Sequence, residues 1–362
     1  MSKRIYKFDF ARASAILCVV LCHCVENIYD FTANEWGDTN KISGLFMILA
    51  FTVGRLGVPI FLFLSGALLL KKQINNDSDI ITFYKRNWLP LFIANEIWVV
   101  IYNIYFCLTG GFQYLTFDNI LRELLCMKQV PTPQMWYFPM ILGMYLGIPF
   151  VAKIVKTFSL KSLAFLIFAI FAVDFFLPTL QILLNMAGIK FECLSLLSVN
   201  FLGGSYGLYI VAGYFAANKN LIKLNNMWVC IITLISFFIT VSIQFVSRGG
   251  LLHSEVLYNV WYNNAFLAIA ALGIFVLFDR IDDSKFNERF SNICTFISRF
   301  SLSIFFIHYI LLNFFKKPIM NLSVMSPLKV IILFILVFLT SAVVSLLLSK
   351  IKAVSKYALV IK

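Results

Sequence analysis

The sequence places an arginine and a histidine eleven residues apart inside an apolar segment near the N-terminus. Arg12 comes first, His23 follows, and Glu26 lies three residues beyond the histidine. A guanidinium binds phosphate in a bidentate way, and a neutral imidazole is a suitable general base near pH 7. A carboxylate within reach of the ring fixes its tautomer and raises its basicity. These residue types predict anion binding at one position and proton abstraction at another.

Helical geometry puts these residues on a single face of one helix. At about 100° per residue, six polar positions fall within an arc of about 100°: Asp9, Arg12, His23, Glu26, Asn27 and Asp30. His23 is expected about 16 Å along the helix axis from Arg12. Ionisable groups in a membrane-spanning helix face the bundle interior or a wet cavity, which favours a functional stripe. The alternative is a stripe that only ties helices together through hydrogen bonds.

The composition indicates that this helix belongs to a membrane protein. Hydrophobic residues make up 61% of the 362 residues, and charged residues make up 13%. A soluble domain needs more polar surface than that. Because no linker, repeat or low-complexity tract divides the chain, we expect one integral membrane domain over 1–362 with no appended soluble domain.

Apolar runs long enough to cross a bilayer predict an all-α, polytopic bundle of about ten transmembrane helices. They lie at 9–29, 50–70, 88–108, 135–152, 162–180, 200–217, 228–246, 261–279, 300–316 and 330–349. If the N-terminus is cytoplasmic, most of the 30 Lys and Arg residues fall on the inner side. This bias predicts that both termini are cytoplasmic and that the N-terminal segment is an uncleaved first span.

Three further patterns bear on the organisation of the bundle. The second span is expected to break between Gly54 and Pro59, and residues 114–128 have the helical period of an amphipathic surface helix. Glu96, within the third span, is expected to pair with a cation such as Arg12 or Arg55.

The net charge of +13 is best explained by topology and contact with anionic lipid head groups rather than by nucleic acid. The eight cysteines fall mostly inside predicted spans and include no C-x-x-C pair, so we interpret most of them as small packing residues. We therefore expect membrane lipid as a partner, no nucleic acid and no bound metal.

The chain resembles acyltransferase family 3, a family of membrane proteins. The resemblance begins with the Arg-x10-His spacing of Arg12 and His23, preceded by "FDFAR". It continues through five later segments: "GVPIFLFLSGALLL" (57–70), "FYKRNWLPLFIANEIW" (83–98), "MWYFPMILGMYLGIPF" (135–150), "GLYIVAGYFAA" (207–217) and "SRFSLSIFFIHYIL" (298–311). Their order and spacing cover nearly the whole chain. The subtype it resembles most is the short O-acetyltransferases of the enterobacterial common antigen type.

This resemblance implies transfer of an acyl group, often acetyl, from cytoplasmic acyl-CoA to a saccharide hydroxyl. His23 would be the catalytic base, with Glu26 beside it. Arg12 and Arg86, helped by Lys85, would hold the CoA phosphates. Many members have Arg-x-x-Arg at the start of the third span, whereas this chain has "YKRNWL". Acetyl-CoA would be a co-substrate rather than a bound cofactor, and the location would be the bacterial inner membrane.

Four further residues are expected along the acceptor path or channel. Trp136 opens the fourth span, where it would anchor at the interface or stack on a sugar. Tyr145 belongs to the segment 135–150 that resembles the family, Asp9 begins the polar stripe, and His308 lies mid-span as an interior histidine or a substrate contact.

Two other functions fit the composition. A transporter or flippase for a lipid-linked saccharide would also have many spans, a polar stripe and basic inner loops, although no paired repeat is evident. An inactive acyltransferase-like scaffold is the third possibility, and the presence of both Arg12 and His23 argues against it.

Overall fold

The protein is described by a computed structural model, in which every regular element is a helix. The described residues are 4–32, 41–110, 116–193, 204–219, 222–248 and 257–361. The α-helices are α1 (Tyr6–Ile28), α2 (Lys41–Arg55), α3 (Gly57–Leu69), α4 (Asp77–Phe83), α5 (Leu89–Gly110), α6 (Phe117–Leu124), α7 (Tyr137–Thr157), α8 (Leu160–Phe171), α9 (Leu177–Met186), α10 (Gly204–Lys219), α11 (Asn226–Ser247), α12 (Ala265–Asp279), α13 (Glu288–Met320) and α14 (Ser326–Ser349). The predicted all-α fold is confirmed over these ranges.

Eight helical segments in the described ranges are long and apolar enough to cross a membrane. They coincide with eight of the ten predicted spans; α8 and α9 form one such segment through a π-helical turn at Ala172–Phe176. The other two predicted spans coincide with α10 and α12, which have 16 and 15 residues. The described part of α10 and the whole of α12 are shorter than the roughly 17–25 residues that a full crossing needs, so the count of ten stays a prediction.

Helix α1, which carries the polar stripe, lies in the middle of the bundle. It packs against α13, α2, α3, α14 and α12. Small residues at Ala11, Ala13 and Ala15 are buried on this helix and let its neighbours approach closely. A helix surrounded by other helices holds its polar side chains away from lipid tails, which is the setting that ionisable groups in a membrane require.

The predicted break in the second span lies between Arg55 and Gly57, where α2 ends and α3 begins. Both glycines beside the break touch α1. A Cβ atom at Gly54 would lie 2.6 Å from the Cβ of Cys22, and one at Gly57 would lie 2.6 Å from the carbonyl oxygen of Ala15. Only glycine permits this approach, and it places Arg55 directly beside the outer half of the α1 stripe.

The amphipathic segment contains α6, while residues 114 and 115 lie outside the described ranges. The Thr116 side chain caps α6 by accepting a hydrogen bond from the backbone of Asn119. Glu123 is buried against α5, where its carboxylate accepts a hydrogen bond of 2.6 Å from the Asn103 amide. This buried polar contact fixes α6 on the side of α5.

Two irregular turns position residues of the candidate site. A π-helical turn at Tyr84–Trp88 carries Lys85 and Arg86. Its aromatic side chains are tied to α7, because the Tyr84 hydroxyl donates to the carbonyl of Leu146 and the Trp88 indole donates to that of Leu142. A 3₁₀ turn at Pro133–Trp136 leads into α7 and carries Gln134 and Trp136.

Candidate active site

His23 is the first member of a chain of hydrogen-bonded charged groups. Its Nδ1 atom lies 2.7 Å from one carboxylate oxygen of Glu26, and the other oxygen accepts a hydrogen bond of 2.9 Å from Arg55. Arg55 also donates to the Tyr262 hydroxyl at 3.2 Å. Because a carboxylate only accepts, Nδ1 carries the proton and Nε2 keeps the lone pair that a general base needs.

Arg55 is held on several sides besides its ion pair with Glu26. Its guanidinium carbon lies 4.5 Å from the ring centroid of Phe51 and 4.5 Å from that of Trp261. Cation–π contacts of this kind are strongest where water is excluded, and only 6% of Arg55 is exposed. The charge of Arg55 is therefore used within the protein, where it balances and orients Glu26.

His308 stacks on His23, with 5.4 Å between the ring centroids. Its Nδ1 atom lies 2.7 Å from the carbonyl oxygen of Phe305 and 3.1 Å from that of Ile304, so Nδ1 carries a proton. The Nε2 atom of this fully buried ring has no hydrogen-bond partner among the described residues. His308 thus presents a second neutral imidazole beside the candidate base.

A narrow cavity of about 10 Å³, here called the histidine cavity, lies beside His23. Its volume is about that of one water molecule or one hydroxyl group. It is lined by Val19, Cys22, His23, Gly54, Val58, Gln134, Trp136, Tyr137, Tyr262 and Phe305. The candidate base therefore faces a space in which a single reacting hydroxyl fits.

Aromatic rings cluster around Trp136 at this cavity. The ring centroid of Trp136 lies 5.6 Å from that of Tyr206, 5.6 Å from that of Trp261 and 5.5 Å from that of Tyr262. Trp261 is exposed. A partly exposed group of large rings with polar tips is a suitable platform for the apolar face of a sugar.

A second cavity, of about 310 Å³ and here called the arginine cavity, lies around Arg12. Arg86 and Arg299 also line it, and no carboxylate lines it within the described ranges. The Arg12 guanidinium has no hydrogen-bond or ion-pair partner in the described part of the chain. The volume of the arginine cavity falls in the range of small-molecule sites, and the positive charge of its lining suits a phosphorylated ligand.

Tyr137 and Phe305 line both cavities and form the partition between them. Their ring centroids are 5.5 Å apart. Arg12 and His23 therefore lie on opposite sides of one aromatic partition, on the same face of one helix.

Three other predicted site residues, Tyr145, Asp9 and Lys85, do not all lie where the sequence analysis expected them. Tyr145 lines the arginine cavity, where its hydroxyl lies 3.0 Å from that of Ser65. Asp9 lines neither cavity; it pairs with Arg4 at 2.5 Å and accepts a hydrogen bond of 2.6 Å from Ser298. Lys85 is exposed and does not line the arginine cavity, whereas its neighbour Arg86 does line it.

The expected pairing of Glu96 with Arg12 or Arg55 does not form. Glu96 accepts a hydrogen bond of 2.9 Å from the adjacent Asn95, and Arg55 pairs with Glu26 instead. Glu96 faces a shallow apolar groove between α5 and α6. The sequence alone does not show which helix packs against the face of α5 that carries Glu96, or whether that helix brings a cation.

Sequence reasoning missed two residues that line the cavities. Arg299 lies at the start of an apolar run within the segment "SRFSLSIFFIHYIL", and a charged residue at that position was the sequence signal that could have identified it. Gln134 follows two prolines in "PTPQMW" and offered no signal, because a single glutamine before a span is ordinary.

Comparison with known proteins identifies the class. A family model described as an acyltransferase domain matches residues 5–350. No curated protein and no solved structure matches the chain. The helical bundle is thus that of a multi-pass membrane acyltransferase. This chain is a member of acyltransferase family 3.

Proposed function

We propose that the protein is a membrane O-acyltransferase, and specifically an O-acetyltransferase. It moves an acetyl group from cytoplasmic acetyl-CoA to a hydroxyl of a cell-surface or lipid-linked saccharide. In this proposal it acts in the bacterial inner membrane with both termini in the cytoplasm, as a relative of the enterobacterial common antigen type.

One observation carries the proposal: a cationic cavity and a histidine cavity share the partition of Tyr137 and Phe305. Arg12 lies in the first cavity and His23 in the second. Their separation of about 16 Å along α1 suits an extended pantetheine arm. A donor anchored by its phosphates can therefore present its thioester to a base at the other end.

The donor would bind with its nucleotide phosphates against Arg12 and Arg86, where guanidinium groups make bidentate hydrogen bonds. Arg299 adds a third cation to the same cavity. The hydroxyl of Tyr145 and that of Ser65, 3.0 Å apart, are polar groups for the amides of the pantetheine arm.

The base step follows from the hydrogen bonds of His23. Glu26 holds the Nδ1–H, so the Nε2 lone pair takes the proton of the acceptor hydroxyl as its oxygen attacks the thioester carbonyl. The new C–O bond forms, the C–S bond breaks, and the CoA thiolate takes the proton back from the imidazolium. Glu26, itself balanced by Arg55, stabilises the imidazolium between these two steps.

The partition imposes a condition on this reaction. In the present arrangement the rings of Tyr137 and Phe305 separate the two cavities. The thioester can reach His23 only after these rings turn aside, so donor entry and partition opening are coupled. On the other side, Trp136 and its aromatic neighbours would stack on the saccharide, and His308 would buttress the His23 ring.

The direct test uses the purified protein in lipid nanodiscs with acetyl-CoA labelled in the acetyl group. Lipid-linked saccharides and surface glycan from cells lacking the gene serve as the acceptor pool. The expected result is label in the saccharide fraction, a mass increase of one acetyl group, and release of an equal amount of free CoA.

A transporter or flippase predicts a different outcome. It would leave the thioester intact and would instead change the sidedness of the saccharide lipid. Intact acetyl-CoA together with saccharide translocation in proteoliposomes would therefore replace the proposed function with the transporter.

A further inference from the structure

Gln134 is a buried polar residue next to the candidate base. It lies on the 3₁₀ turn Pro133–Trp136, is 1% exposed, and lines the histidine cavity together with His23. Nothing in the base step described above uses it.

The hydrogen bonds of Tyr102 fix the orientation of the Gln134 amide. The Tyr102 hydroxyl has one proton, which it donates to the carbonyl oxygen of Phe306 at 2.7 Å. The Gln134 side chain lies 2.7 Å from the same hydroxyl and must therefore supply its own proton there, through Nε2. An amide rotated by 180° would place two acceptors against each other.

This orientation leaves the Gln134 carbonyl oxygen, Oε1, without a hydrogen-bond partner among the described residues. Buried acceptors in proteins are nearly always paired, and an unpaired one calls for an explanation. The hydrogen bond that joins the 3₁₀ turn before α7 to Tyr102 of α5 uses only the amide nitrogen of Gln134. The unused oxygen at a cavity beside a general base indicates that a ligand supplies the missing donor.

The chemistry of the two substrates identifies that donor. A thioester group offers no hydrogen-bond donor, and Gln134 does not line the arginine cavity, where the rest of the donor arm would lie. A hydroxyl has one proton, so a hydroxyl that gives its proton to His23 cannot also donate to Gln134. Within the acceptor, the available donor is a second hydroxyl on the adjacent carbon, because Gln134 and His23 line the same cavity. A water molecule is the alternative donor in a cavity of this volume, and the competition below distinguishes the two.

We propose that Gln134 is a specificity-determining residue that accepts a hydrogen bond from the neighbouring hydroxyl, so that the enzyme selects vicinal diols. This inference rests on the proposed function. It names the substrate class as saccharides in which the acetylated hydroxyl has a free hydroxyl on the adjacent carbon.

The test is a competition between two acceptors of nearly equal size, ethane-1,2-diol and ethanol, with acetyl-CoA in one reaction. Mass spectrometry gives the ratio of hydroxyethyl acetate to ethyl acetate, corrected for the two hydroxyls of the diol. This ratio does not depend on how much of a variant is folded. The same mixture with N-methylimidazole in place of protein gives the intrinsic ratio.

The wild-type protein is expected to favour the diol at least about tenfold over the intrinsic ratio. Gln134→Met, which keeps the size and removes the acceptor oxygen, is expected to bring the ratio back to the intrinsic one. Binding of CoA should be unchanged in Gln134→Met, because Gln134 lies on the other side of the partition.

Two results would overturn the inference in different ways. An unchanged diol preference in Gln134→Met would remove the role of Gln134 while the proposed function stands. Transfer to neither alcohol by wild-type protein that does acetylate the saccharide pool would reject recognition of a bare vicinal diol and leave the proposed function standing, whereas transfer to no acceptor at all would reject the proposed function.

Discussion

Arg12 and Arg55 both lie beside the polar face of α1, yet their surroundings are opposite. Arg12 lines an open cavity and has no hydrogen-bond or ion-pair partner within the described ranges. Arg55 is buried, pairs with Glu26 at 2.9 Å, and is covered by the rings of Phe51 and Trp261. One guanidinium is available to a ligand, whereas the other is used within the protein.

The same contrast separates the two cavities. The arginine cavity is about 310 Å³ and cationic, whereas the histidine cavity is about 10 Å³ and is lined by His23 and Tyr262, which are linked through Glu26 and Arg55. A binding site benefits from charges whose best partner is the ligand. A base benefits from a fixed tautomer and a balanced charge. In the proposed function, donor binding and the base step therefore lie on opposite sides of the Tyr137 and Phe305 partition.

The largest expected effect comes from Arg55→Met. Removal of one member of a buried ion pair leaves Glu26 without its balancing charge, so the free energy of unfolding should fall by about 3–5 kcal/mol. Unfolding in mixed detergent micelles measures it. A matched change, Arg12→Met, should leave the free energy of unfolding within about 0.5 kcal/mol of wild type. Equal losses of unfolding free energy in the two variants would contradict the contrast between Arg12 and Arg55.

Arg12→Met is expected to weaken binding of CoA by about 10–100-fold, since a charge-assisted contact to phosphate is worth about 1.5–3 kcal/mol. Equilibrium binding of labelled CoA to nanodiscs measures this loss. Arg122→Met is the control, because Arg122 is exposed and, among the described residues, forms its ion pair with Asp118 at 2.8 Å on α6. An unchanged Kd in Arg12→Met would contradict phosphate binding in the arginine cavity.

Glu26→Gln is expected to lower kcat about tenfold with little change in KM for acetyl-CoA. Gln keeps an oxygen for the Nδ1–H of His23 but lacks the charge that stabilises the imidazolium. Steady-state rates with varied acetyl-CoA measure both constants. A rise in KM alone would place Glu26 in donor binding instead.

Arg299→Ala should have the smallest effect, a rise of about two- to fivefold in the Kd for CoA. Arg299 is exposed to solvent at the edge of the arginine cavity, where water screens its charge. The same binding assay at low and high salt measures it, and the difference from wild type should shrink as salt rises. A loss as large as that of Arg12→Met would move the centre of the phosphate site to α13.

The polar face of α1 and the helix break beside Arg55 could both be predicted from the sequence. Polar residues that recur on one helix face are visible in one dimension, and two glycines followed closely by a proline mark a break. The pairing of Glu26 with Arg55 was not visible, because it depends on how close Gly54 and Gly57 bring α1 to the α2–α3 break.

The composition of the cavities could be predicted only in part. Arg12 and His23 stand out as charged or titratable groups in an apolar span, which is rare enough to notice. Gln134 and Arg299 enter the site through contacts between helices more than 100 residues apart in the chain. Such contacts depend on tertiary packing. The local pattern around a single glutamine contains no trace of it, and for Arg299 the only sequence signal was its place at the start of an apolar run.

The division of labour across the partition is tested most directly by His23→Ala, with His253→Ala as the matched histidine control. CoA binding and acetyl transfer are measured on the same nanodisc preparations. We expect an unchanged Kd for CoA in both variants, and a loss of about 10²–10⁴-fold in transfer for His23→Ala alone. Transfer at the wild-type rate without the imidazole of His23 would contradict its role as the base.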